Sequence, residues 1–222
     1  MRNHFAVIVF PGSNCDYDAY YALKKILNVN VDFIWHKEND LTQYDAILIP
    51  GGFSYGDYLR TGAIARFSPI MKSLIDESKK GKPIIGICNG FQILLESGLL
   101  PGSLINNKNI KFLSKEVKLN VITNKSIFTQ NSSVGDVLTM PIAHREGNYI
   151  AKPEILKELQ DENRILFEYV DENPNGSMLN IGGIINKKRN VLGMMPHPER
   201  ACEIILGSDD GRKIFESMIG RI

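Results

Sequence analysis

Short apolar runs alternate with helical patterns through the first hundred residues, and few folds accept that alternation. Residues 5–10 (FAVIVF), 46–49 (AILI) and 84–87 (IIGI) contain no polar side chain, and 31–35 (VDFIW) contains one. Runs this short and continuous describe strands buried on both faces. Pro11-Gly12 closes the first and Pro50-Gly51-Gly52 the third. Between them, residues 16–27 read as a helix with Tyr20, Leu23 and Leu27 on one face. Residues 70–80 read as a second, stopped by Gly81, and 89–97 as a third. Buried strands separated by helices predict an α/β chain with a mostly parallel central sheet and helices on both faces.

The second half is less regular. Strands are expected at 117–122, 165–169, 181–185 and 191–194, with helices at 153–160 and 211–219 and polar turns at 106–111 (NNKNIK) and 172–177 (ENPNGS). No repeat or low-complexity linker divides the 222 residues, so one domain over 1–222 is expected.

Hydrophobic residues at 43% and charged residues at 23% describe an ordinary globular chain with a sizeable core. A net charge of +1 gives no footprint for nucleic acid or an anionic membrane. The first apolar run is too short for a signal peptide, and no run approaches the roughly 20 residues that span a bilayer. The three cysteines, Cys15, Cys88 and Cys202, lie far apart and show no metal-site spacing. No metal is expected, and free thiols suit a reducing cytoplasm.

Gly86-Ile87-Cys88-Asn89-Gly90 joins the fourth strand directly to the third helix. This is G-x-C-x-G, the thiol form of the nucleophile elbow. Glycines flank the turn because larger side chains would clash there. The helix N-terminus favours thiolate, and the Asn89 N–H is placed to bind an oxyanion. Five such residues also describe a buried cysteine between packing glycines; the preceding strand and following helix favour the nucleophile. Cys15 opens the first helix with no recognisable base nearby. Cys202 follows a proline-rich loop, and both read as packing thiols.

A cysteine nucleophile needs a base. His4 and His36 flank strands and read as surface residues. Met195-Pro196-His197-Pro198-Glu199-Arg200 follows the 191–194 strand. Pro198 biases His197 toward extended backbone, so His197 and Glu199 share a side, as a base and its orienter would. His144, in 141–147 (PIAHREG), also has an acid two residues on, Glu146, but lacks the proline-enforced pairing. It is the second choice as base, with a binding or interface role preferred. Gly51 and Gly52, after the third strand, let backbone N–H groups approach a ligand, and with Asn89 they could build an oxyanion hole.

With these pieces assembled, the chain resembles the class I, triad-type glutamine amidotransferases. More narrowly, it is similar to the glutaminase subunits of phosphoribosylformylglycinamidine synthases. The resemblance rests on 11–16 (PGSNCD), 51–60 (GGFSYGDYLR), 86–92 (GICNGFQ), 141–149 (PIAHREGNY), 173–177 (NPNGS) and 195–200 (MPHPER). It implies a flavodoxin-like fold, Cys88 as nucleophile, His197 as base and Glu199 as orienter. It also implies an oxyanion hole from the amides of Gly52 and Asn89, and substrate contacts from Gln92 and Gly51. The implied substrate is glutamine, and the implied partner is a synthetase subunit that holds ATP and Mg²⁺, joined through a small bridging subunit. Competing readings are a cysteine peptidase or deglycase on a similar fold, a glutaminase of another pathway, and a binding subunit with a decayed site.

Overall fold

Apolar runs buried on both faces must sit inside a sheet, and the computed structural model puts three of the four there; the run 31–35 lies at the sheet edge with Asp32, Phe33 and Trp35 exposed. The structure describes residues 3–57 and 60–220. Met1, Arg2, Tyr58, Leu59, Arg221 and Ile222 lie outside, two of them within the 51–60 motif.

The strands are β1 (His4–Val9), β2 (Asn30–Trp35), β3 (Ala46–Ile49), β4 (Ile84–Ile87), β5 (Ser103–Ile105), β6 (Leu113–Val121), β7 (Val137–His144), β8 (Asn148–Ile150), β9 (Ile165–Val170), β10 (Ile181–Ile185) and β11 (Val191–Met194). The helices are α1 (Asp16–Tyr21), α2 (Ile70–Lys79), α3 (Asn89–Glu96), α4 (Pro153–Asp161) and α5 (Arg212–Ile219). One nine-stranded sheet has the order β2-β1-β3-β4-β11-β10-β9-β6-β7, and β5 pairs with β8 separately. The neighbours from β2 through β11 pair in parallel. From β11 onward the pairs are antiparallel. Every residue of β3, β4 and β11 is buried, as strands covered on both faces require.

Parallel register fixes where the loops emerge. Ile49 lies opposite Gly86, and Ile87 opposite Met194. The segments after β1, β3, β4 and β11 therefore leave the sheet at one carboxyl edge, where open α/β sheets place their ligands. The Cys88 N–H donates to the Met194 carbonyl (2.8 Å), extending the ladder one step into the loops.

The expected 16–27 helix differs in its second half. After α1 the chain widens into a π-turn at Ala22–Ile26, with the Leu27 N–H reaching the Ala22 carbonyl at 3.0 Å. His36 corrects the surface expectation, since it is buried. Tyr55 and Ser68 cover the carboxyl end of β2, with His36 Nδ1 3.1 Å from Ser68 Oγ and 3.0 Å from the Tyr55 hydroxyl. His4 is half-buried beside Asp32, its Nε2 2.9 Å from the carboxylate.

Candidate active site

Cys88 occupies the turn between β4 and α3 with φ 50° and ψ −105°. A residue with a side chain rarely adopts positive φ, so the surrounding packing must hold it there. The two glycines show how. A Cβ on Gly90 would come within 2.1 Å of the Ile49 carbonyl oxygen, and one on Gly86 within 2.5 Å of Leu94. The turn closes against β3 and α3 only because both side chains are missing. α3 begins at Asn89, so the Asn89 N–H is among the donors a helix start leaves unmatched.

His197 and Glu199 arrive from the loop after β11. Pro198 opens a single 3₁₀ turn, Pro198–Arg200, and His197 stays extended at its head. The His197 N–H donates to the Pro141 carbonyl (2.9 Å), tying the loop to β7. Its Nδ1 lies 2.6 Å from Glu199 Oε1, with both side chains 1% exposed. Burial disfavours the charged imidazolium. The Glu199 carboxylate, and after it Cys88, more than offset that and push His197 up to about 10. The Cys88 thiol reaches the Ala143 carbonyl (3.7 Å), while His197 Nε2 and Glu199 Oε2 are buried with no hydrogen-bond partner among the described residues.

The loop after β3 completes the wall. A Cβ on Gly51 would lie 2.8 Å from His197 Cε1, 3.2 Å from Cys15 Sγ and 3.4 Å from Cys88 Cβ. Any side chain at 51 would part these three residues. Gly52 has φ 128° and its Cβ would strike Asn14, so this stretch is backbone by necessity. A cavity of about 500 Å³ opens beside it, lined by Gly52, Cys88, Gln92, His144 and Glu146 among others. Gln92 crosses the cavity wall. Its Nε2 donates to the Glu146 carbonyl (2.7 Å), and its Oε1 accepts from Asn89 Nδ2 (3.0 Å). Asn89 Oδ1 in turn accepts from the N–H and hydroxyl of Ser54.

His144 is buried but differently paired. Asn107 Nδ2 donates to the carbonyls of Lys111 and His144, so Asn107 Oδ1 is its acceptor end. Oδ1 already takes the Gly147 N–H, and His144 Nδ1 lies 3.1 Å away, which makes Nδ1 the protonated nitrogen. Burial, and then the nearby His197, hold His144 down at about 3. Its sequence neighbour Glu146 turns away and accepts from the Thr61 hydroxyl (2.8 Å).

The structure thus sets Cys88 and the His197–Glu199 pair side by side against Gly51, with Gly52 and Gln92 lining the adjoining cavity and Asn89 opening the helix behind Cys88. It also overturns the isolation expected of Cys15. Cys15 Sγ, His197 and Glu199 offer donor atoms all within 4.8 Å of one another, and Arg200 Nη2 lies 3.0 Å from the sulfur. Burial, then Glu199, push the Cys15 thiol up to about 12, against the pull of Arg200. These donors are of the type a soft cation uses, although the Arg200 charge opposes one there. The signal that could have exposed Cys15 is topological: a residue just after β1 meets the loop after the neighbouring β3. Cys202 is buried, its thiol donating to the Pro198 carbonyl (3.2 Å).

The family model of the CobB/CobQ-like glutamine amidotransferase domain matches residues 2–213. A structure of PurLQS from Thermotoga maritima is 42% identical, covers 99% of both chains and superposes with a TM-score of 0.91. Two more distant structures share the fold. A glutamine amidotransferase from Thermotoga maritima is 17% identical over 98% of this chain and 90% of its own, at a TM-score of 0.58. The Trypanosoma brucei CTPS glutaminase domain with bound acivicin is 12% identical over 99% and 95%, at 0.63.

Proposed function

The chain belongs to the CobB/CobQ-like glutamine amidotransferases, and from that premise we propose how its residues work and which reaction they serve. It is the glutaminase subunit of a phosphoribosylformylglycinamidine synthase. It cleaves the side-chain amide of glutamine to glutamate and ammonia for a synthetase subunit, which uses ATP and Mg²⁺ to convert formylglycinamide ribonucleotide to formylglycinamidine ribonucleotide. A small third subunit bridges the two. The 42% identity to a PurLQS chain, sustained over 99% of both chains, supports this choice among amidotransferases.

The steps follow from the side chains. With a proton held on His197 Nε2, drawn there by Glu199, the Cys88 sulfur attacks the carboxamide carbon. The oxygen becomes an oxyanion, received by the N–H groups of Gly52 and Asn89. His197 gives that proton to the leaving nitrogen, ammonia departs, and a γ-glutamyl thioester remains on Cys88. Water gives a proton to His197 and attacks the thioester; the C–S bond breaks and glutamate leaves with the sulfur freed. Throughout, Glu199 holds Nδ1 and stabilises the positive ring. Gln92 and Gly51 hold the bound glutamine.

The observation that carries this reading is Cys88 at φ 50° on a strand-to-helix elbow, beside the buried His197–Glu199 pair. The test is Cys88→Ala in the assembled complex. Glutamine-dependent synthesis should vanish while ammonia-dependent synthesis continues. Normal glutamine-dependent turnover would sink the reading. In the same assay the isolated chain should hydrolyse glutamine slowly and the loaded synthetase should speed it. A peptidase or deglycase would ignore the partner.

A further inference from the structure

The amide-cleavage steps use one of the two thiols at this edge of the sheet and leave the other, Cys15, without a task. Its surroundings give it one. Cys15 is buried at the start of α1, and its N–H donates to the Gly51 carbonyl at 3.4 Å, so it is fixed to the loop that walls the site. Arg200 Nη2 stands 3.0 Å from its sulfur, and Arg200 Nε donates to Asp18 at 2.9 Å. The His197 and Glu199 donor atoms also lie within 4.8 Å of the sulfur and of each other. Among the described residues the ion pair that Arg200 makes is with Asp18, although Arg200 adjoins Glu199 in sequence. Glu199 Oε1 is taken by His197, while Oε2 is buried with no hydrogen-bond partner.

We propose that Cys15 is a positioning residue for the glutamine reaction, standing between Arg200 and Glu199: its sulfur accepts the guanidinium N–H, and its S–H goes to Asn14 Oδ1 (3.8 Å), beside Gly52. The sulfur takes up the guanidinium donor that would otherwise form a two-pronged ion pair with the Glu199 carboxylate. Glu199 then keeps its orientation toward His197. The chain of contacts runs from Asp18, near the surface of α1, through Arg200 to Cys15, whose sulfur lies within 4.8 Å of the base. The thiol suits the place because it remains protonated beside a carboxylate, and a donor must keep its proton.

The inference rests on the triad reading, and the experiment separates the two. In the assembled complex, glutamine-dependent rates are measured for Cys15→Ala, Cys15→Ser, Arg200→Gln and Cys15→Ala/Arg200→Gln, with Cys88→Ala and His197→Gln as controls. Cys15→Ala should lower kcat by about tenfold at unchanged KM, on the scale of one lost charge-assisted contact. Cys15→Ser, which keeps a donor of similar shape, should stay within about threefold of wild type. Adding Arg200→Gln to Cys15→Ala should recover most of the lost rate, because the competitor for Glu199 is gone. A purely structural Cys15 predicts the reverse, a double variant worse than either single one. The His197 Nδ1–H proton resonance, read by NMR on the isolated chain, should move in Cys15→Ala and return in the double variant. Wild-type kcat in Cys15→Ala, equal losses for Ser and Ala, or a deeper loss in the double variant would each overturn the inference. Activity surviving in Cys88→Ala would instead overturn the triad reading.

Discussion

His197 and His144 are both buried, both line the same edge of the sheet, and both precede a glutamate by two residues. Their charge states are driven in opposite directions. Burial alone disfavours the charged imidazole, as at His144, which is held down at about 3. At His197 the same burial operates, yet a carboxylate 2.6 Å from Nδ1 reverses it and the ring is pushed up to about 10. The spacing His-x-Glu is shared; the backbone beneath it is not. Pro198 folds one stretch into a turn that brings its acid back to the ring. The other ends β7, where Glu146 is drawn off to Thr61 and Asn107 takes the histidine. What faces a buried histidine decides whether its ring holds a second proton.

Exchanging the rings should produce the largest effect. His197→Gln is expected to lower glutamine-dependent kcat by roughly 10⁵–10⁶-fold, comparable to losing the nucleophile. His144→Gln should stay within about tenfold. Steady-state glutaminase assays decide it, and equal losses would erase the distinction. The acids come next. Glu199→Gln should cost about 100–10,000-fold in kcat by leaving the imidazolium without its partner. Glu146→Gln, whose carboxylate serves Thr61, should cost no more than a few-fold in the same assay.

The contrast extends to the thiols. A glutamine-mimicking electrophile should modify Cys88, which has the base beside it, on the order of 100-fold faster than Cys15 or Cys202. Peptide mapping after partial labelling reads this directly. Cys15 found labelled first would mean that the buried base serves the wrong sulfur.

The smallest effect is in stability against pH. For His197 the folded pKa is raised, so its contribution is complete below about 6.5 and is lost as pH rises toward about 10. For His144 the folded pKa is depressed. Its contribution is complete above about 6.5 and falls away as pH drops toward about 3. Urea unfolding between about pH 4 and pH 6 should therefore lose close to 1.4 kcal/mol less per pH unit in His144→Asn than in wild type. Parallel slopes in the two proteins would mean that His144 does not stay neutral.

What could be read from the residues alone divides along the sheet. β1, β3, β4 and β11 were legible because strands covered on both faces must be apolar throughout. β7 was not. Its residues alternate in burial, and Pro141 argues against a strand unless that strand is an edge, which β7 is. β5 and β8, at three residues each, carry too little pattern to detect. In the site, the local backbone at Cys88, His197 and Glu199 was legible because each lies in a motif whose glycines or prolines dictate it. Cys15 reaches the same point only through the pairing of β1 with β3, which no local spacing encodes. The pairing of His144 with Asn107, 37 residues away, is equally non-local.

The backbone at Cys88 has an evolutionary consequence. At φ 50° any residue with a Cβ carries strain, of order 1–3 kcal/mol, and glycine alone escapes it. Alanine therefore preserves the strain and makes a faithful inactive twin. Glycine relaxes it, so selection for amide cleavage and selection for robustness oppose each other at this one position. In a duplicated copy freed from its reaction, Cys88→Gly is a change that both silences and stabilises. Decayed relatives of this chain should accumulate glycine at 88 while His197 and Glu199 are still in place.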